Sequence, residues 1–231
     1  MTERIGIIGA MESEVATLIP ALENHDEQTI GIVVYHTGKL DGREVVVARS
    51  GVGKVNAALT AAEMIRTFGA AAIVNTGVAG ALEETLDPED AVIATDLVQH
   101  DYDTTPFDPP GFVSGVGRVK IPADPKISAA AAANAARELG MRVLEGTVAS
   151  GDQFISDGEK KKRIREQFGA FACEMEGAAI AHVCFLYGVR CGVIRTISDR
   201  ADGKADVDFP TFAEHAAALN AKIVRRVLPQ I

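Results

Sequence analysis

The chain alternates short β-branched runs with helical segments from end to end, and that alternation confines it to a layered α/β fold. "RIGIIGAM" (4–11) reads as a buried strand, and "SEVATLIPALEN" (13–24) as a helix behind it, with Glu12 or Ser13 serving its first turn. "IGIVVYHTGKLDGREVVVARS" (30–50) reads as strand, turn, strand, because Asp41-Gly42 between β-branched runs is a strong hairpin signal. A hairpin this early is foreign to a purely parallel sheet, so a mixed sheet is expected.

Further along, "SGVGKVNAALTAAEMIRTFG" (50–69) starts at a glycine turn and continues as an amphipathic helix. "AAIVNTG" (71–77) reads as a strand entering a glycine-rich turn, "GVAGAL", and "DAVIATDLVQH" (90–100) as another strand. Residues 101–125 are rich in Pro, Gly and Asp; an irregular piece this long usually carries function or meets a partner. A helix at 128–140 follows, alanine-rich through propensity alone. Strands are expected at 143–155, 170–175 and 189–199, with helices at 177–188 and from Phe209 onward. No repeat or linker divides the 231 residues, so one domain is expected.

Composition removes several classes of function. A net charge of −9, with no basic stripe interleaved with aromatics, argues against nucleic acid. No apolar run reaches membrane-span length, and the N-terminus lacks a signal-peptide pattern, so neither a membrane nor an export route is expected. Cys173, Cys184 and Cys191 lie in apolar segments without a C-x-x-C, which suits core thiols in a reducing cytoplasm. Histidines 25, 36, 100, 182 and 215 are scattered, and "HDYD" (100–103) reads as a solvated loop, so no metal is expected. "GIIGAM" lacks G-x-G-x-x-G spacing, which rejects a dinucleotide site.

Ligands of open α/β sheets bind beyond the carboxyl ends of strands. Four such ends stand out: "GAMESE" (9–14), "CEMEG" (173–177) and "RTISD" (195–199) carry charge beside small residues, and "NTGVAG" (75–80) carries small residues alone. Each acid taken singly has an ordinary explanation: a first-turn carboxylate, a cap, or an Arg195–Asp199 ion pair. His182 suits a satisfied core position, and Met11 and Met175 suit packing. Convergence raises the signal, since Glu14, Glu176, Asp199 and Arg195 can meet above one sheet.

"IGIIGAMESEV", "SGVGKVNAA", "NTGVAGAL", "SGDQFI", "EMEGAAIAHV" and "RTISDRAD" together resemble the 5′-methylthioadenosine/S-adenosylhomocysteine nucleosidases, within the nucleoside phosphorylase and hydrolase superfamily. The resemblance runs from residue 4 to about 212. It implies a three-layer α/β/α sandwich, a homodimer and no cofactor. The implied reaction is hydrolysis of the N-glycosidic bond of adenosine derivatives bearing a 5′-thioether, with 5′-deoxyadenosine as a further substrate. Residue by residue, Glu14 matches the water-activating base and Asp199 the acid at purine N7. Glu176 matches the carboxylate on the ribose hydroxyls, with Met175 against the sugar. Phe154 and Ile155 match the base-stacking segment, and Gly80 a backbone contact. Arg195 shares the "RTISD" strand end. Met11, Val52 and Phe209 match the 5′ region, closed by Phe107 of a neighbouring subunit. Val78 departs from the family's frequent serine and removes a hydroxyl there. The loop "PFDPPGFVSGVGRV" also diverges, which leaves an aminodeoxyfutalosine-preferring nucleosidase as an alternative.

The chemistry asks for the same groups. N-glycosidic cleavage produces an electron-poor sugar and a purine that leaves best when protonated, so a general acid and a base are needed. Asp199 has to hold a proton near neutral pH, which an apolar pocket favours, whereas Glu14 has to orient water as an ionised base. A purine nucleoside phosphorylase would instead hold phosphate near "GAMESEV", which has no basic residue. A carboxylate about 4 Å from one phosphate charge costs about 4 kcal/mol at an effective dielectric near 20. A non-catalytic adenine-nucleoside sensor would need neither Glu14 nor Asp199.

Overall fold

The structure is a computed structural model that describes residues 3–201 and 205–231; the side chains of residues 136, 138, 205–208, 210 and 211 are outside the description. Ten strands form one mixed sheet. β1 (Arg4–Gly9) is flanked by β4 (Arg43–Arg49) and β5 (Ala70–Ala81), both parallel to it. Beyond β4 lie β3 (Val33–Leu40) and, at the edge, β2 (Glu23–Ile30), both antiparallel. On the other side β5 meets β10 (Arg190–Asp199) in parallel and β9 (Ala170–Glu174) at its last two residues. β8 (Val143–Ser150) and β6 (Ala91–Gln99) bridge β9 back to β10, so this half closes on itself. The short β7 (Ile121–Pro122) pairs with β6.

Helices cover both faces. α2 (Lys54–Arg66) and α5 (Gly177–Tyr187) bury Ala57, Ala61, Met64, Ala178 and Ile180 against one side of the strands. α1 (Glu12–Val15), α3 (Pro125–Glu138) and α6 (Ala205–Val227) bury Val15, Ile127, Ala131, Ile223 and Val224 against the other. This is the expected three-layer arrangement around a mixed sheet. α4 (Gly158–Phe168), capped by Asp157, lies before β9 and was not expected from the sequence. No described helix is long and apolar enough to cross a membrane. All three cysteines are buried and free.

The Asp41-Gly42 turn is present, with φ of 47° and 81° at its two residues. Two expectations are corrected. The helix over 13–24 is only α1 and a single 3₁₀ turn at Ile19–Ala21, and the chain then enters β2. β2 is polar up to its last residue, Ile30, and almost wholly exposed, so backbone pairing with β3 decides it and no apolar alternation announces it. The "GVAGAL" segment is no turn either. β5 runs straight through Gly77 to Ala81, and a Cβ on Gly77 would collide with Arg195 and Glu14.

Candidate functional site

β1, β5 and β10 run parallel, which brings their carboxyl ends to one edge; β9 meets β5 at Gly80–Cys173, bringing Glu174 there as well. A cleft of about 280 Å³ opens at this point. Glu14, Glu174, Glu176 and Asp199 line it, together with Met11, Val52, Val78, Gly80, Phe154, Met175 and Phe209. Ile155 lines a narrow extension that also touches Gly80, Phe154 and Asp199. Phe154 and Phe209 meet edge to face, with ring centroids 5.8 Å apart. Ten of the twelve residues singled out from the sequence therefore surround one space.

The other two lie elsewhere. Arg195 is fully buried and does not line the cleft. Its guanidinium bonds Glu174 and Asn75 and stands 3.9 Å from Glu176, so it serves the carboxylates and not the cleft itself. Phe107 is 89% exposed and is not part of the lining formed within its own chain.

Local folding explains each carboxylate. Glu14 sits at the third position of α1 and reaches back to its start, where Oε2 accepts from the N–H groups of Ala10 (2.6 Å) and Met11 (2.9 Å). Oε1 accepts from Val78 N–H at 3.0 Å, so β5 holds it from the other side. With a helix of four residues, these individual N–H groups replace the helix dipole expected from the sequence. Glu174, left without a role by the sequence, caps α5: Oε2 accepts from Glu176 N–H (3.1 Å) and Gly177 N–H (2.8 Å), and Oε1 takes the Ser150 hydroxyl. Glu176 Oε1 accepts from Gly53 N–H at 2.9 Å. Asp199 accepts from the Ser198 hydroxyl (2.9 Å) and from Ala201 N–H (3.0 Å).

Residues 4–229 match the phosphorylase superfamily. The chain belongs to that superfamily. The aminodeoxyfutalosine nucleosidase of Campylobacter jejuni is 40% identical over 229 residues, 99% of each chain. The 5′-methylthioadenosine/S-adenosylhomocysteine nucleosidase of Shewanella oneidensis is 42% identical over 234 residues, covering 99% of this chain and 97% of that one. The crystal structure of the Neisseria meningitidis 5′-methylthioadenosine/S-adenosylhomocysteine nucleosidase, in complex with methylthio-immucillin-A, superposes with a TM-score of 0.95 at 38% identity, covering 99% of this chain and all of that one.

In this phosphorylase-superfamily chain the cleft's charge is one-sided. Among the described residues no lysine, arginine or histidine lines it. Burial pushes the Glu14 carboxyl up, against the pull of Arg195 and its three N–H donors. Burial, then Glu174, pushes Glu176 up to about 7, while Arg195 and Gly53 N–H act in the opposite sense. Val78 contributes a backbone donor to Glu14, and its side chain packs with Ala216 and Ala217 near Met11 and Phe209.

Sequence reading missed the clasp behind Glu176. Lys54 Nζ binds Asp101 Oδ1 at 2.6 Å, Asp101 Oδ2 accepts from Asp152 N–H at 2.9 Å, and Asp152 Oδ1 accepts from Lys54 N–H at 2.8 Å. The triangle fixes the start of α2, where Gly53 takes φ 103°, and the loop that carries Phe154. The only signal was that "SGVGK" and "SGDQ" stand among the resembling segments.

Proposed function

We propose that this protein is a nucleosidase that hydrolyses the N-glycosidic bond of 5′-methylthioadenosine and S-adenosylhomocysteine, releasing adenine and the 5′-thio-substituted ribose. One observation carries the reading: Glu14, Glu176 and Asp199 line a single cleft that has no basic lining among the described residues. The Shewanella and Neisseria relatives, both 5′-methylthioadenosine/S-adenosylhomocysteine nucleosidases, support the same activity.

In this reading Asp199 gives its proton to purine N7 as the C1′–N9 bond breaks. Glu14 takes a proton from the water whose oxygen attacks C1′, and its burial-raised pKa makes it a better base near neutrality. Ionised Glu176 accepts hydrogen bonds from the two ribose hydroxyls, which strengthen as the sugar becomes positive. Phe154 and Ile155 flank the adenine, Gly80 offers backbone, and Met175 lies against the sugar. Arg195 holds the acidic cluster in place.

Met11, Val52 and Phe209 form the apolar 5′ region. Val52, at the cleft just before α2, is 48% exposed, and Val55 and Leu59, on one face of α2, are 70% and 66% exposed. That face supports a homodimer in which the partner copy brings its own Phe107 loop over the 5′ substituent. The half-exposed Val52 also leaves room for a longer 5′ group, which together with the Campylobacter relative favours aminodeoxyfutalosine as a second substrate.

The test is adenine release from each nucleoside, with and without phosphate. Free reducing sugar and indifference to phosphate are expected; ribose 1-phosphate would identify a phosphorylase. Glu14→Gln and Asp199→Asn should each lower turnover by about 10² to 10⁴ with the fold intact.

A further inference from the structure

Away from the cleft, the β2–β3 hairpin gathers three side chains that the sequence kept apart. Antiparallel pairing sets Glu27 opposite His36. His25 lies two residues before Glu27, on the same side of an extended strand. Between Glu23 and Asp26 the register shifts, and Asn24 inside that shift takes φ 52°. An irregularity of this kind re-aims neighbouring side chains. Here His25 Nε2 comes to 2.9 Å from His36 Nδ1, and Glu27 Oε2 stands 3.7 Å from the same nitrogen.

We propose that His25, Glu27 and His36, brought together across the β2–β3 pair, form a site for a divalent transition ion of the zinc type that staples edge strand β2 to the sheet. Each residue offers one ligand atom, and the three atoms lie within 4.8 Å of one another. With metal–nitrogen bonds of about 2.0–2.1 Å, two cis nitrogens are separated by about 2.9 to 3.4 Å. The imidazole nitrogens already stand 2.9 Å apart, and each ring has to swing so that its lone pair turns from the other nitrogen to the shared ion. Glu27 is 65% exposed, so its carboxylate is free to turn the remaining distance. Two imidazoles and one carboxylate suit Zn²⁺, Co²⁺, Ni²⁺ or Cu²⁺; Mg²⁺ and Ca²⁺ prefer oxygen alone.

The 2.9 Å contact between the two rings makes one nitrogen the donor and the other the acceptor. Shifting the donor ring to its other tautomer frees both lone pairs for an ion. A cleft of about 310 Å³ beside His36, lined also by Glu12, Ile32 and Arg49, has room for the water ligands that complete the shell. Arg49 is held 3.3 Å from Glu12, which offsets its charge at the rim.

β2 gains most from such a link. It is the edge strand, none of its residues is fully buried, and apart from the partly buried Ile30 at its end the ladder to β3 is what holds it. None of the three residues lines the nucleoside cleft. The ion is therefore structural, and the proposal is independent of the reaction.

The experiment uses the full chain after treatment with a chelator. Calorimetric titration with Zn²⁺ should show one equivalent bound, and Co²⁺ should develop visible d–d absorption with the same stoichiometry. His25→Gln and His36→Gln should each weaken Zn²⁺ binding by at least about tenfold, since loss of supporting groups alone costs that much. His215→Gln, at an isolated His–carboxylate pair, should leave it unchanged. Zn²⁺ should slow hydrogen exchange of the β2 amides selectively. Absence of saturable binding, equal binding by the His25→Gln/His36→Gln protein, or unaltered β2 exchange would each overturn the staple. His25 is exposed, so its variant should keep the fold.

Discussion

The backbone N–H of Gly53 donates to Glu176 Oε1 at 2.9 Å, joining residues 123 positions apart. A Cβ on Gly53 would sit 3.1 Å from Asp152 Oδ1, at a φ that L side chains rarely adopt. Glu176 is thus oriented by a glycine that the Lys54–Asp101–Asp152 triangle keeps in place.

Lys54→Met should therefore act through Glu176. A charge-assisted hydrogen bond contributes about 1.5–3 kcal/mol, so KM should rise about tenfold or more while kcat changes less. Preference for the riboside over its 2′-deoxy analogue should shrink, and Lys54→Arg should restore part of both. Unchanged discrimination between the two sugars would reduce the triangle to a fold contact.

Among the described residues Arg195 is the one fully buried cation, and it lies beside the buried Glu174 and Glu176. Removing one partner of a buried pair typically costs about 3–5 kcal/mol, because the other charge is left uncompensated. Arg195→Met should lose stability on that scale in urea unfolding. Adding Glu174→Gln should return part of it; a double variant less stable than the single one would refute the pairing.

Glu176 makes stability depend on pH. Its folded pKa of about 7 stands above the ordinary 4.5, so between these values the native chain keeps a proton that the unfolded chain has released. Stability consequently falls as pH rises through that window, by about 3 kcal/mol at most. Glu176→Gln should remove this component, and the variant should gain on wild type more at pH 8 than at pH 5. Substrate binding should follow the opposite trend: wild-type KM should rise below about pH 7, where the carboxylate is protonated and stops accepting from the ribose hydroxyls. A parallel pH profile for the two proteins would contradict the assignment.

Phe107 tests the shared 5′ pocket. Covering an apolar tail with an aromatic ring contributes roughly 1.5–3 kcal/mol. Phe107→Ala should raise KM for methylthioadenosine about tenfold or more, with a much smaller effect on adenosine. Equal losses on both nucleosides, or full activity from a monomer, would remove the partner's loop from the site.

The hairpin at Asp41-Gly42, the buried strands and most helices were legible in the sequence because local chemistry decides them: β-branched runs, a turn dipeptide with positive φ, and helical spacing. The same holds for the acids at three strand ends, whose neighbouring small residues mark where a chain can approach a ligand. β2 was not legible, because "ENHDEQTI" is held chiefly by hydrogen bonds to β3 and its one apolar residue, Ile30, makes no alternating pattern.

Tertiary structure alone decided how the acids share one cation. Arg195 meets Glu174 and Asn75 from 21 and 120 residues away, and no local pattern encodes such a meeting. It also decided that Glu174, although it lines the cleft with Glu176, commits its oxygens to the start of α5 and to Ser150, while Glu176 takes the N–H of Gly53. The backbone turns from β9 into α5 between these residues, so two acids only two positions apart reach different donors. Residue identity supplied the carboxylates; the chain's path through the sheet gave each a different set of partners.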